Sequence, residues 1–115
     1  MKLVDEIKTA LELEVRASSD GHDYFEAVFM TKDLAKLTGI LEKSLGQPLK
    51  PSGKDVKFTK EIRKIVDLIG GLRREQFFYA KSETENKYLY AALWPWQSDP
   101  ARITLKIGIY DIDKL

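Results

Sequence analysis

The sequence predicts an α+β domain, a five-stranded antiparallel sheet in the element order α-ββ-αα-βββ with its helices mainly on one face. Three observations carry that prediction. Five short runs alternate apolar and polar residues at the two-residue period of a strand. Three others repeat apolar residues at helical spacing. Polar, turn-forming segments separate successive strand runs, as antiparallel neighbours require. At 115 residues the chain has the length of one domain, 1–115, and can bury roughly 65% of the surface its unfolded form exposes.

Residues 2–10, "KLVDEIKTA", carry Leu3, Val4, Ile7 and Ala10 on one helical face. "LELEVRA" then switches period: Leu11, Leu13, Val15 and Ala17 alternate with Glu12, Glu14 and Arg16, which predicts a strand over 11–17. "SSDGHD" is a turn in which Gly21 supplies a positive φ. "YFEAVFM" returns with Phe25, Ala27 and Phe29 inward, which makes 11–30 a β-hairpin. Thr31 is the expected N-cap of a helix striped by Leu34, Leu37, Ile40, Leu41 and Leu45 and ended by Gly46 and Pro48. "QPLKPSGKDVKF" reads as a loop. Thr59 caps the next helix, whose stripe is Ile62, Ile65, Val66, Ile69 and Leu72, loosened at its end by Gly70-Gly71. "TKDLAKLTGIL" and "TKEIRKIVDLI" share a Thr-Lys-acid-aliphatic opening. Two amphipathic helices that both need a cap and an acidic first turn converge on it, and this explains the match better than duplication does. Both middle helices are expected over the aliphatic face of the sheet. The last strands are "QFFYAKS" (76–82), "KYLYAALW" (87–94) and "RITLKIGIY" (102–110), joined by "ETEN" and "PWQSDPA".

The layout, ββ then helices then βββ, resembles that of PAS-like, profilin-like and roadblock-like domains. The resemblance lies in element order. It implies a sensing, scaffolding or dimerising module sooner than an enzyme.

Composition narrows the function. With no cysteine, disulfide frameworks and thiolate chemistry are excluded. The opening "MKLVDEIKTAL" places acids where a secretory leader has its apolar run. No span approaches the ~20 apolar residues of a membrane helix, so a cytoplasmic protein without a membrane partner is expected. A net charge of +1 argues against a global attraction to nucleic acid, yet residues 46–81 hold 9 basic and 4 acidic side chains. His22, the single histidine, sits in the predicted hairpin turn between Asp20 and Asp23 with no fixed orienting partner, so neither a general base nor a metal shell is expected there. "PSGK" lacks the first glycine of a phosphate-binding loop, and Asp55 stands where Ser or Thr should follow Lys54. No catalytic residue and no cofactor is expected, although an enzyme built on carboxylates and lysines would leave no linear signature.

Two features remain. "YLYAALWPWQ" turns Leu89, Ala91 and Leu93 to one face and Tyr88, Tyr90, Ala92, Trp94 and Trp96 to the other. Tyr110, Lys106 and Arg102 join that second face from the last strand, with Phe77 and Tyr79, or else Phe78, according to register. Four large rings amount to roughly 600–1,000 Å², against the ~300–600 Å² that a monomer usually leaves as its largest apolar patch. Some cover is expected: the N-terminal helix, a second copy making a dimer, or a protein or other ligand. The leading expectation is a non-catalytic regulatory or assembly module that self-associates through Tyr88, Tyr90, Trp94, Trp96 and Tyr110. The runner-up is a binder of phosphate-bearing ligands, nucleic acid included, through the basic segment 50–74, with Arg73, Arg74, Lys54 and Lys57 as the anion-binding candidates.

Overall fold

The computed structural model describes residues 2–19, 23–111 and 113. The hairpin turn residues Asp20, Gly21 and His22, and with them the readings placed on that turn, lie outside the described residues. The elements run α1 (Lys2–Ala10), β1 (Glu14–Val15), β2 (Tyr24–Met30), a 3₁₀ turn (Thr31–Asp33), α2 (Leu34–Leu45), α3 (Lys60–Leu68), β3 (Phe77–Ser82), β4 (Lys87–Pro95) and β5 (Arg102–Asp111). The five strands form one antiparallel sheet in the order β1-β2-β5-β4-β3. The predicted α+β class and element order hold. No helix among the described residues is long and apolar enough to cross a membrane.

The first face of the sheet is the aliphatic one. Leu3, Val4 and Ile7 of α1 and Leu37, Leu41 and Leu45 of α2 pack there on Phe25, Ala27, Phe29, Ala91, Leu93, Ile103, Leu105 and Ile107. Burying such side chains stabilises by roughly 1.5–3 kcal/mol each. The N-terminal helix therefore covers the aliphatic face and leaves the aromatic one to another element.

That element is α3. Contrary to the expectation that both middle helices share a layer, Ile62, Ile65 and Val66 pack on the second face against Phe78, Tyr90 and Ala92. The loop between α2 and α3 explains how. Leu49 and Lys50 donate their N–H groups to the Phe78 carbonyl (2.8 and 3.2 Å), and the Phe78 N–H donates back to Lys50 (3.0 Å), a bridge on the outer edge of β3. The chain thus leaves α2 on one face, rounds the β3 edge as a short paired segment and enters α3 on the other. It also occupies part of an edge that would otherwise offer unpaired backbone groups. The register runs Phe78–Ala92–Lys106–Glu26 and Ala80–Tyr90–Gly108–Tyr24 without a bulge at Ala91-Ala92. Phe78 is therefore the β3 ring on the second face, and Tyr79 is buried in the first core.

Two local expectations are corrected. The strand predicted over 11–17 is paired only at Glu14 and Val15. Leu11 still enters the first core, but Val15 is 48% exposed, because β1 is an edge strand. Thr31 is no N-cap: its hydroxyl donates to the Pro100 carbonyl at 2.7 Å, and α2 starts without a side-chain cap. Thr59 does cap α3, its Oγ1 accepting from the Ile62 N–H at 3.4 Å. The same four-residue opening thus ties one helix to the β4–β5 connection and caps the other.

Candidate interaction surface beside the third helix

The five aromatic candidates do not form one surface. Tyr90 is 4% exposed, its ring stacked at 6.4 Å centroid distance on Phe78 under α3. It also reaches sideways over Gly108, where a Cβ would lie 2.5 Å from the phenol oxygen. Burial pushes its pKa up to about 12. Tyr88 and Tyr110 are cross-strand partners, half-buried against the edge of the α3 cluster. Trp94 lies six positions along β4 from Tyr88, roughly 20 Å at strand rise. Among the described residues the large exposed apolar side chains are Val15, Met30, Leu49, Val56 and Leu68, with no ring among them. The surplus of outward rings is therefore largely taken up by α3 and by local packing.

Trp94 and Trp96 are what remains half-open. Trp94 stands in the row Val28–Thr104–Trp94, and the Lys106 ammonium lies 3.5 Å from its ring centroid. Desolvation lowers the Lys106 pKa, opposed by the nearby Glu26 carboxylate. Trp96 follows Pro95, where the β4 ladder ends, and its N–H donates to the Arg102 carbonyl at 3.0 Å. Its indole N–H donates to Thr104 Oγ1 at 2.8 Å. The guanidinium groups of Arg102 and Arg16 lie 5.6 and 5.9 Å from its centroid. The ring therefore extends from β5 toward the β1 edge, over the row that holds Val28, which is buried. Glu14, Glu26 and Asp99 sit among these cations, with Arg102 paired to Asp99 (3.2 Å) and Lys106 near Glu26 (3.9 Å). The strip is chequered in sign.

The basic candidates divide as well. Lys54 and Lys57 are exposed. Arg74 Nε donates to the Gly53 carbonyl at 3.1 Å, and the Gly53 N–H donates to Arg74 at 2.7 Å, which folds the basic loop beside the end of α3. Arg73 leaves that cluster. Its Nε lies 3.0 Å from Glu75 Oε1, and it lines two contiguous hollows with Trp94. One, about 400 Å³, is walled by Gly70, Gly71, Leu72 and Gln76; the other, about 350 Å³, by Pro95, Trp96, Gln97, Ser98 and Thr104. One candidate from each sequence-level reading thus meets at a single place.

Sequence reasoning missed Lys50 and Gln76. Lys50, the first residue of the basic segment 50–74, is 3% exposed. Its ammonium donates to the carbonyls of Arg74 and Gln76, both at 2.7 Å, and of Pro51 at 3.3 Å. It clasps the crossing loop to the start of β3, and desolvation lowers its pKa. A lone lysine between two prolines carries no pattern that announces this. Among the described residues no group of three histidine, cysteine, aspartate or glutamate side chains is placed to hold a metal ion. Comparison with protein-family models, with curated proteins and with solved structures finds no match.

Proposed function

We propose that this chain is a non-catalytic interaction module that pairs with a second copy of itself across the uncovered strip of the second sheet face, with Trp94 and Trp96 at the contact. The observation that carries the reading is a shortfall of cover. Five strands at ~4.8 Å spacing make a sheet about 20 Å wide, and a helix with its side chains is ~10 Å across. The first face has two helices. The second has α3 alone, over β3, β4 and the Tyr110 end of β5, which leaves the rest of β5, with β2 and β1, without a helix over them among the described residues. Two half-buried tryptophans border that strip, and tryptophan and arginine are favoured at the buried centres of interfaces.

Charge supports a two-fold partner. Arg16, Arg102 and Lys106 alternate with Glu14, Glu26 and Asp99, so a copy turned about a two-fold axis offers an acid to each base. Sedimentation equilibrium tests the proposal. Wild type is expected to dimerise at tens of micromolar, with Trp96→Ala and Arg102→Glu each weakening association by roughly tenfold or more, about 1.4 kcal/mol. A wild-type chain that stays monomeric at hundreds of micromolar overturns it.

A further inference from the structure

The two most exposed large apolar side chains among the described residues are Leu68 of α3 (52%) and Val15 of β1 (48%). They stand at opposite margins of the uncovered strip. The helix fixes which way Leu68 points. Arg63, Val66 and Asp67 share a hollow with Asp55 and Val56 of the loop that rounds the β3 edge, so that flank of α3 faces away from the strip. At 3.6 residues a turn, Glu61, Lys64 and Leu68 fall on the opposite flank, toward β5 and β2. Leu68 is also level with β1 along the strands. Gly70 and Gly71, just past α3, border the hollow that Trp94 lines. Trp94 stands in the row of Thr104 and Val28, which continues to Glu14 of β1, with Val15 one position on.

Stacked sheets lie ~10 Å apart, about the thickness of one helix with its side chains. A second copy that lays its strip on this one therefore stands in the same layer as α3, and its β1 edge ends beside the Leu68 flank. The direction of the two-fold axis follows. An axis across the strands would put each α3 where the partner has β3 and β4. An axis along the strands carries α3 past the partner's β1 instead, and it keeps heights unchanged, so Leu68 stays level with the partner's Val15. Area requires this second contact. The strip is three strands wide and seven residues long at β2, roughly 300 Å² of flat surface. Even doubled for the relief of its side chains, that falls short of the ~800 Å² a partner contributes to a stable interface. Charge agrees as well. Glu61 and Lys64 form no ion pair among the described residues, and the axis brings them alongside the partner's Arg16 and Glu14, a base for the acid and an acid for the base.

We infer, on the pairing proposed above, that the Leu68 flank of α3 receives the β1 edge of a second copy, with Leu68 against the partner's Val15 and the same contact repeated in reverse. The contact covers an edge strand that would otherwise offer unpaired backbone groups. Because each copy uses both of its surfaces on the other, assembly closes at two. Joining the sheets edge to edge through β1 is the weaker arrangement, since that strand is paired over Glu14 and Val15 alone and carries charge on either side of Val15.

The chain contains no cysteine, so single cysteines test the contact. Leu68→Cys and Val15→Cys chains are mixed as monomers, concentrated and oxidised. The mixture is expected to give a cross-linked pair with one chain of each kind, while either variant alone stays unlinked, because two cysteines bridge only when their Cα atoms lie within ~7 Å. Leu68→Asp, at an exposed helical position, should weaken association by roughly tenfold or more in sedimentation equilibrium and leave the unfolding midpoint unchanged. Self-linking of Leu68→Cys would set the two α3 helices side by side, and self-linking of Val15→Cys would join the sheets edge to edge; either overturns the contact. A wild-type dimer whose cysteine mixture stays unlinked, or whose Leu68→Asp variant associates as before, also overturns it and leaves pairing through Trp94 and Trp96 standing. A wild-type chain that remains monomeric at hundreds of micromolar removes the pairing and this contact with it.

Discussion

Gly108 and Tyr90 show how much one missing side chain decides. They are cross-strand partners on the second face, and the Tyr90 ring lies where a Cβ at 108 would stand, 2.5–2.6 Å from three of its atoms. Strand position alone places a glycine at 108 and says nothing of the ring that uses the gap. Gly108→Ala forces the buried ring to move and is expected to cost about 1–3 kcal/mol in urea unfolding. In a Tyr90→Leu background most of that cost should vanish, since the colliding atoms are gone; equal costs in both backgrounds would show that the strand, not the ring, needs glycine. Lys50 makes a different case. Lys50→Met keeps the aliphatic stem but takes the ammonium donor from the Pro51 and Gln76 carbonyls and leaves the Arg74 carbonyl with the Gly53 N–H alone. A loss of about 1–3 kcal/mol is expected, with proteolysis of the 46–58 loop rising in step.

The elements were legible in proportion to how local their signals are. β2 matches its predicted residues, and β3, β4 and β5 begin or end within a residue of theirs, because strict alternation beside a covered face leaves one register. α3 was legible as a helix, with Thr59 as its cap and Ile62, Ile65 and Val66 as its buried stripe. Its layer was not. An amphipathic stripe states that a helix buries one face, and only the chain's route around the β3 edge says against what. Thr31 fails for a related reason, since its hydroxyl finds a carbonyl 69 residues away that no local pattern contains. The aromatic face was legible as a set of rings but not as a covered one, for the same want of α3. Ile65→Ala is therefore expected to do more than leave a cavity. Beyond the usual 2–5 kcal/mol, it should loosen the cover over Tyr90 and Phe78 and raise dye binding to exposed apolar surface. Thr59→Ala, which removes only a long cap bond, should cost about 0.5–1 kcal/mol and leave dye binding unchanged.

On the scale of the whole molecule, the sheet divides two cores, and each contains a buried tyrosine that reports on its integrity. Tyr79, 1% exposed, sits under α1 and α2; Tyr90 sits under α3. Burial pushes both pKa values up from 10 to about 12, because a phenolate in either core would lose its hydration. Between pH 10 and 12 the unfolded chain has released these protons while the folded chain still holds them. Stability must then fall as pH rises through that window, and the contribution is fully present below pH 10. At about 1.4 kcal/mol per pH unit for each group, the two together amount to a few kcal/mol, a large fraction of an ordinary domain's stability. Unfolding free energy should thus decline steeply from pH 10 to 12, with the phenolate absorbance of Tyr79 and Tyr90 appearing only as the chain unfolds. A Tyr79→Phe/Tyr90→Phe chain removes both of these protons and should make the decline shallower over the same interval, leaving the part due to Tyr24, whose pKa burial and the Glu26 carboxylate also raise. If its alkaline profile instead matches wild type, the transition belongs to other groups. If only Tyr90→Phe flattens it, the core under α3 yields first and the two halves of the molecule unfold separately.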